Sequence, residues 1–259
     1  METTAKAAAF FDLDRTLISG SSLYVFGMAA WRNDMVETRQ VLKDLTDAVV
    51  FRFAGASDEK TEAIKNRVLD AIAGVAVADL KGLGGDILPK LLESVRLESQ
   101  GLLDLHHQAG RDTYIVSASP IEIVEGLAEA LGMTGAIGTV AEIVDGRYTG
   151  LLAEPFCYGQ GKADAISKLA SAREYDLRLS YAYTDSMGDL PMLEIVGHPV
   201  AVNPDRALES LAYHQGWPVV EFSRKRKEVV ARTTAAAGAL ALAGTTYALG
   251  RRHGRLLSG

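Results

Sequence analysis

An α/β fold, a parallel sheet with helices on both faces, is predicted by three observations. The apolar run Ala7–Phe11 ends in two carboxylates and reads as a buried strand. From Thr113 onward short β-like runs alternate with helical segments, the texture of strand–helix–strand crossovers. The chain has 259 residues, 48% of them hydrophobic, enough to bury one such core and carry a smaller companion.

Each element follows in order. After the first strand, residues from about Ser22 to Gly110 carry helical spacing, with Leu42, Leu45, Val49 and Phe53 on one face and Ile64, Val68 and Ile72 on another. Ser57 is placed as an N-cap before Asp58 and Glu59. Gly82-Leu83-Gly84-Gly85 interrupts the pattern, and Leu88, Leu91, Leu92 and Val95 resume it. A strand is then predicted over Thr113–Val116, a helix over Ile121–Leu131 and a strand over Ile137–Val144. Asp145-Gly146-Arg147 reads as a hairpin turn. A helix from Lys162 to about Arg173 precedes strands at Leu179–Tyr183, Pro199–Val202 and Pro218–Phe222.

Composition excludes several classes. One cysteine, Cys157, rules out an intramolecular disulfide framework and any multi-cysteine zinc site. A net charge of −6 argues against nucleic acid as a partner. The charge is uneven: residues 223–259 hold eight Lys/Arg and one acid, a net +7, so the rest carries −13. Within that tail, Thr233–Gly250 lacks any formal charge and is 18 residues long, a candidate for contact with an anionic membrane surface. Its three leucines contribute only about −1.5 kcal/mol to insertion. The N-terminal apolar run is too short for a secretory signal, so a cytoplasmic body is expected.

The chemistry concentrates in four short segments. Asp12 and Asp14, two apart on a strand end, point to the same side. Adjacent carboxylates repel unless they share a cation, and hard oxygen ligands select Mg²⁺. One of them can also attack phosphorus as a nucleophile. An EF-hand is excluded, because Leu17 and Leu23 stand where its glycine and glutamate belong. Asp185 and Asp189, just past another apolar run, can complete a metal shell. Ser117-Ala118-Ser119-Pro120 closes a third strand ahead of a helix and suits a phosphate oxygen. Gly159-Gln160-Gly161-Lys162 opens a helix with a lysine, and it is not a P-loop, since Phe156 and Ala163 break that pattern.

In this order the segments resemble the four motifs of the haloacid dehalogenase superfamily, over about residues 8–222. The long helical stretch between the first and second motifs is similar to the subfamily typified by phosphoserine phosphatase. The resemblance implies a Rossmann-like core over 1–17 and 107–222, a helical cap over 18–106 and a separate tail over 223–259. It further implies an Mg²⁺-dependent phosphatase acting on a small phosphorylated substrate. Asp12 would be the nucleophile, and Asp14 the proton donor and later base. The metal would be held by Asp12, Asp14 through its main-chain carbonyl, Asp185 and Asp189. Lys162, Ser117 and Ala118 would hold the phosphoryl group.

Two departures bear on substrate. Phosphoserine phosphatases carry an acid soon after the first motif, whereas here the next acid is Asp34. Their Ser-Gly-Gly is replaced by Ser117-Ala118-Ser119. A phospholipid-derived monoester and transfer to an acceptor other than water are the alternatives within the class. A non-catalytic phosphate-receiver module is the alternative outside it, but its chain is about half as long. No oligomeric state is read from the sequence.

Overall fold

A computed structural model describes residues 6–33 and 58–222. The spaced leucines at 42–53, the Ser57 cap and the tail from 223 lie outside the described residues. None of the described helices is long and apolar enough to cross a membrane.

Six strands form one parallel sheet: β1 (Ala8–Phe11), β2 (Asp112–Pro120), β3 (Gly135–Thr139), β6 (Tyr181–Thr184), β7 (His198–Val202) and β8 (Val219–Val220). Their order is β3-β2-β1-β6-β7-β8. Phe11 pairs with Ile115 on β2 and with Tyr183 on β6. The order therefore reverses between β1 and β6, and open parallel sheets leave a ligand crevice at the carboxyl ends of such neighbours. Two strands, β4 (Ala141–Val144) and β5 (Arg147–Leu152), form a separate antiparallel hairpin. Its turn is the expected Asp-Gly pair, with Asp145 and Gly146 at φ 50° and 74°.

The sequence reading joined β3 and β4 into one strand over Ile137–Val144. The chain instead leaves the main sheet at Val140, whose carbonyl accepts the Ala153 N–H at 2.9 Å. A continuous β-like stretch, Ile137-Gly-Thr-Val-Ala-Glu-Ile-Val144, carries no turn signal to mark a change of sheet. The second strand is also longer than Thr113–Val116, running on through Ser117, Ala118 and Ser119 with a bulge before Pro120.

Both faces of the sheet are covered. On one, Ala8 and Phe10 of β1, Tyr114 and Val116 of β2 and Ala182 of β6 pack with α7 (Gln160–Arg173), α8 (Leu190–Glu194) and α9 (Arg206–Gln215). On the other, Phe11 stacks on Tyr183 and meets the His106 ring of α5 (Leu97–Gln108). With neighbours above and below, β1 is buried along its whole length, as a central parallel strand must be.

Between β1 and β2 the described chain is entirely helical in its regular parts: α1 (Ser22–Arg32), α2 (Asp58–Ile72), α3 (Val77–Gly82), α4 (Gly84–Ser94) and α5. The predicted break falls at Leu83, between α3 and α4. The insertion leaves and rejoins the sheet through paired segments. Ser19 N–H donates to the Ser94 carbonyl at 2.8 Å, and Arg96 N–H donates to the Leu17 carbonyl at 3.0 Å. Between β2 and β3 runs α6 (Ile121–Ala130), which buries Val124 and Leu127 completely.

Candidate active site

Asp12 is the first residue past β1. Its N–H donates to the Tyr183 carbonyl at 2.9 Å, which fixes it beside the β6 end that carries Asp185. The sequence acids are not solvated: Asp12, Asp14, Asp185 and Asp189 are each buried. Burying four carboxylates costs several kcal/mol apiece unless cations and donors surround them.

Lys162 supplies the main counter-charge. Its Nζ donates to Asp12 Oδ1 at 2.6 Å and to Asp189 Oδ2 at 2.8 Å, and the side chain is wholly buried. Burial alone would favour the neutral amine, but the carboxylates of Asp12 and Asp189 overcome it and raise the lysine pKa above its ordinary value. The ammonium therefore stays charged at neutral pH.

Local sequence places this lysine. Gly159 has φ 52° and ψ −118°, a backbone conformation that suits glycine. A Cβ on Gly161 would lie 2.0 Å from the Phe156 carbonyl oxygen. The Gly-Gln-Gly turn is thus what lets Lys162 enter in the first turn of α7 facing the sheet.

The second acid pair is held by a tight loop. Thr184 Oγ1 donates to Asp189 Oδ2 at 2.8 Å. Asp205 braces the loop from α9: its N–H donates to the Asp185 carbonyl at 2.8 Å, and its carboxylate accepts from Met187 N–H and Leu208 N–H, each at 2.9 Å. Asp185 Oδ2 forms an ion pair with Arg15 Nε at 2.9 Å. Arg15 has φ 67°, a left-handed conformation that costs energy in a residue with a Cβ.

Asp14 is held by the start of α1. Its Oδ1 accepts the backbone N–H of Ser22 at 2.8 Å and the Ser22 hydroxyl at 2.7 Å. Ser22 Oγ lies 2.6 Å from Ser119 Oγ. Ser117, one step along β2, is buried, and its Oγ accepts the Ser119 N–H at 3.2 Å, leaving its own O–H able to donate. The Ala118 carbonyl is taken by Thr139 Oγ1 at 2.7 Å. Cys157 is buried beside this group, its thiol pushed up to about 11 by burial and inert as a nucleophile.

The charge and donor type of these residues suit a metal. Four buried acids gather around Lys162 and Arg15. A divalent, oxygen-preferring ion such as Mg²⁺ fits such a gathering of hard carboxylate donors. Among the described residues, no group of three or more His, Cys, Asp or Glu side chains is placed to hold an ion. The reason is visible in the partners: Asp189 is turned to Lys162 and Thr184, and Asp14 to Ser22. Two carboxylates, Asp12 and Asp185, with a main-chain carbonyl and solvent, make the donor set that fits.

Sequence reasoning singled out Asp12, Asp14, Ser117, Ala118, Lys162, Asp185 and Asp189, and the structure brings all of them to the carboxyl edge of β1, β2 and β6. It overlooked Arg15, Ser22, Thr184 and Asp205. Only Ser22 left a signal, a small hydroxyl ahead of an apolar helix.

Residues 9–194 match the family model described as haloacid dehalogenase-like hydrolase. The chain belongs to that family. A Mycobacterium tuberculosis protein that carries the name "probable phosphatase" is 42% identical over 260 residues, 96% of this chain and 90% of that one. Another from the same organism, named a phosphoserine phosphatase, is 37% identical over 249 residues, 95% of this chain and 81% of that one. A crystal structure of a protein of unknown function from Bordetella pertussis Tohama I superposes with a TM-score of 0.74 at 26% identity, covering 84% of this chain and 99% of that one. The haloacid dehalogenase-like chain is therefore an enzyme, a phosphatase.

Proposed function

We propose that this phosphatase hydrolyses the monoester of a small phosphorylated metabolite, of the phosphoserine kind, through an aspartyl-phosphate on Asp12 and with Mg²⁺. The observation that carries the reading is Lys162 Nζ seated between Asp12 and Asp189 at the sheet's switch point. A buried ammonium in that place keeps Asp12 ionised for attack and offsets charge on an arriving phosphate. When bound, Mg²⁺ would lie against Asp12, Asp185 and the Asp14 carbonyl, and would draw charge from the phosphoryl oxygens.

The residues divide the work. A lone pair of the Asp12 carboxylate forms a bond to phosphorus as the ester P–O bond breaks. Asp14 gives its proton to the departing oxygen, which leaves as an alcohol. Water then attacks the aspartyl-phosphate, Asp14 takes back a proton, and Asp12 departs as a carboxylate. Lys162 and the Ser117 hydroxyl hold phosphoryl oxygens throughout. Thr184 and Asp205 keep Asp189 and the 185–189 loop in register.

The 37% identical relative named for phosphoserine supports a small amino-bearing monoester. The test is a panel of phosphomonoesters, including phosphoserine and a lysophosphatidate, with Mg²⁺ and with a chelator. Mg²⁺-dependent release of phosphate from the small metabolites is expected. Turnover confined to the lipid monoester would overturn the substrate class, and full turnover in chelator would overturn the metal.

A further inference from the structure

We infer that Ser22 is a positioning residue for proton transfer, holding the carboxyl of Asp14 at one rotation; this rests on the acid–base role proposed above. Ser22 is fully buried and opens α1, the first helix of the insertion. It places two donors on one atom, its backbone N–H and its hydroxyl both reaching Asp14 Oδ1, at 2.8 and 2.7 Å.

Both donors converge on one carboxylate oxygen, and the Ser119 hydroxyl backs the Ser22 hydroxyl at 2.6 Å. The carboxyl is thereby held at one rotation. In the first half-reaction Asp14 passes its proton to the ester oxygen as that oxygen takes the P–O electron pair. In the second it accepts a proton from the attacking water. Ser22 loses and gains nothing; it keeps the carrier aimed.

The arrangement also ties chemistry to the insertion. Ser22 belongs to α1 and Ser119 to β2, 97 residues later, so the proton carrier is clamped where the helical insertion meets the sheet. In this chain Ser22, just past the first motif, and Ser119, in the second, together serve the proton carrier.

The discriminating quantity is how much a reaction needs its leaving oxygen protonated. For Ser22→Ala, kcat/KM on an alkyl phosphate should fall about tenfold or more, part of the roughly 10²–10⁴ that proton transfer contributes. On p-nitrophenyl phosphate, whose leaving group departs as an anion, it should change by less than about threefold. The ratio of the two is insensitive to the folded fraction, and Ser22→Cys gives the same reading if the alanine form is recovered poorly. An unchanged ratio overturns the assignment. Asp14→Asn run in parallel separates the two layers. If it shifts the ratio strongly and Ser22→Ala does not, Ser22 alone is misassigned; if neither shifts it, the acid–base role of Asp14 fails first.

Discussion

The two sides of the crevice treat the same residue type differently. On one side Asp12 faces a buried ammonium, Lys162, which also holds Asp189. On the other, two residues along the chain, Asp14 accepts two neutral donors, the N–H and hydroxyl of Ser22, the latter backed by Ser119. A cation beside a carboxylate favours its charged form and suits a nucleophile. Neutral donors hold a carboxyl in place while letting it exchange a proton. Roles are set by partners arriving from 150 and 8 residues away, not by the Asp-x-Asp spacing itself.

The comparison can be broken from its largest effect downward. Removing the attacking group with Asp12→Asn should lower kcat by about 10⁴ or more, since the covalent route is lost. Steady-state kinetics measures it, with the unfolding midpoint near that of the wild type. Lys162→Met should lower kcat by roughly 10²–10³ and destabilise by about 3–5 kcal/mol, because Asp12 and Asp189 would be left buried without their shared cation. Denaturant titration alongside kinetics separates these losses, and an unchanged stability would mean that the lysine is not their principal counter-ion.

Smaller effects sharpen the picture of how the site is held. Gly161→Ala drives a Cβ to 2.0 Å from a main-chain oxygen, so the turn that aims Lys162 must shift. About 2 kcal/mol of stability should go, with a fall in activity larger than in any surface variant of α7. On the opposite face, His106 meets Phe11 and Tyr183 edge to face and bonds the Tyr183 hydroxyl at 2.8 Å. Burial first, then the charges of Arg111 and His107, lower its pKa to about 4. An unfolded histidine titrates near 6.5, so in the window from 6.5 down to 4 the unfolded chain binds a proton that the fold refuses. Stability is present above that window and lost within it, on the order of 1–2 kcal/mol after allowance for screening. Thermal unfolding across pH 4–7 should show a steeper acid limb for wild type than for His106→Asn.

What the sequence disclosed and what it withheld follow from the range of the interactions. Asp12 and Asp14 were readable because alternation on a strand is local, and the Asp145-Gly146 turn was readable because its φ requirement is local. The switch point follows from strand alternation once the order of strands is known, and the order depends on long-range pairing such as Phe11 with Tyr183. Lys162 gained its meaning only from the resemblance, since nothing near it in the chain says that it points at Asp12. Arg15, Thr184 and Asp205 gave no signal at all: an arginine, a threonine and an aspartate are ordinary surface residues until the fold sets them against Asp185, Asp189 and Met187. The merged strand at Ile137–Val144 failed for the converse reason, one β-like stretch serving two different sheets.

The central claim is that the carboxylate held by Lys162 becomes the phosphoryl carrier. It is met most directly by acid-quenching the enzyme during turnover with a ³²P-labelled monoester, reducing the acyl phosphate with borohydride and mapping the modified peptide by mass spectrometry. The account predicts modification at Asp12 alone, increased when Asp14→Asn slows its breakdown. Modification at Asp14 or Asp185 instead, or none in any form that turns over, would contradict it.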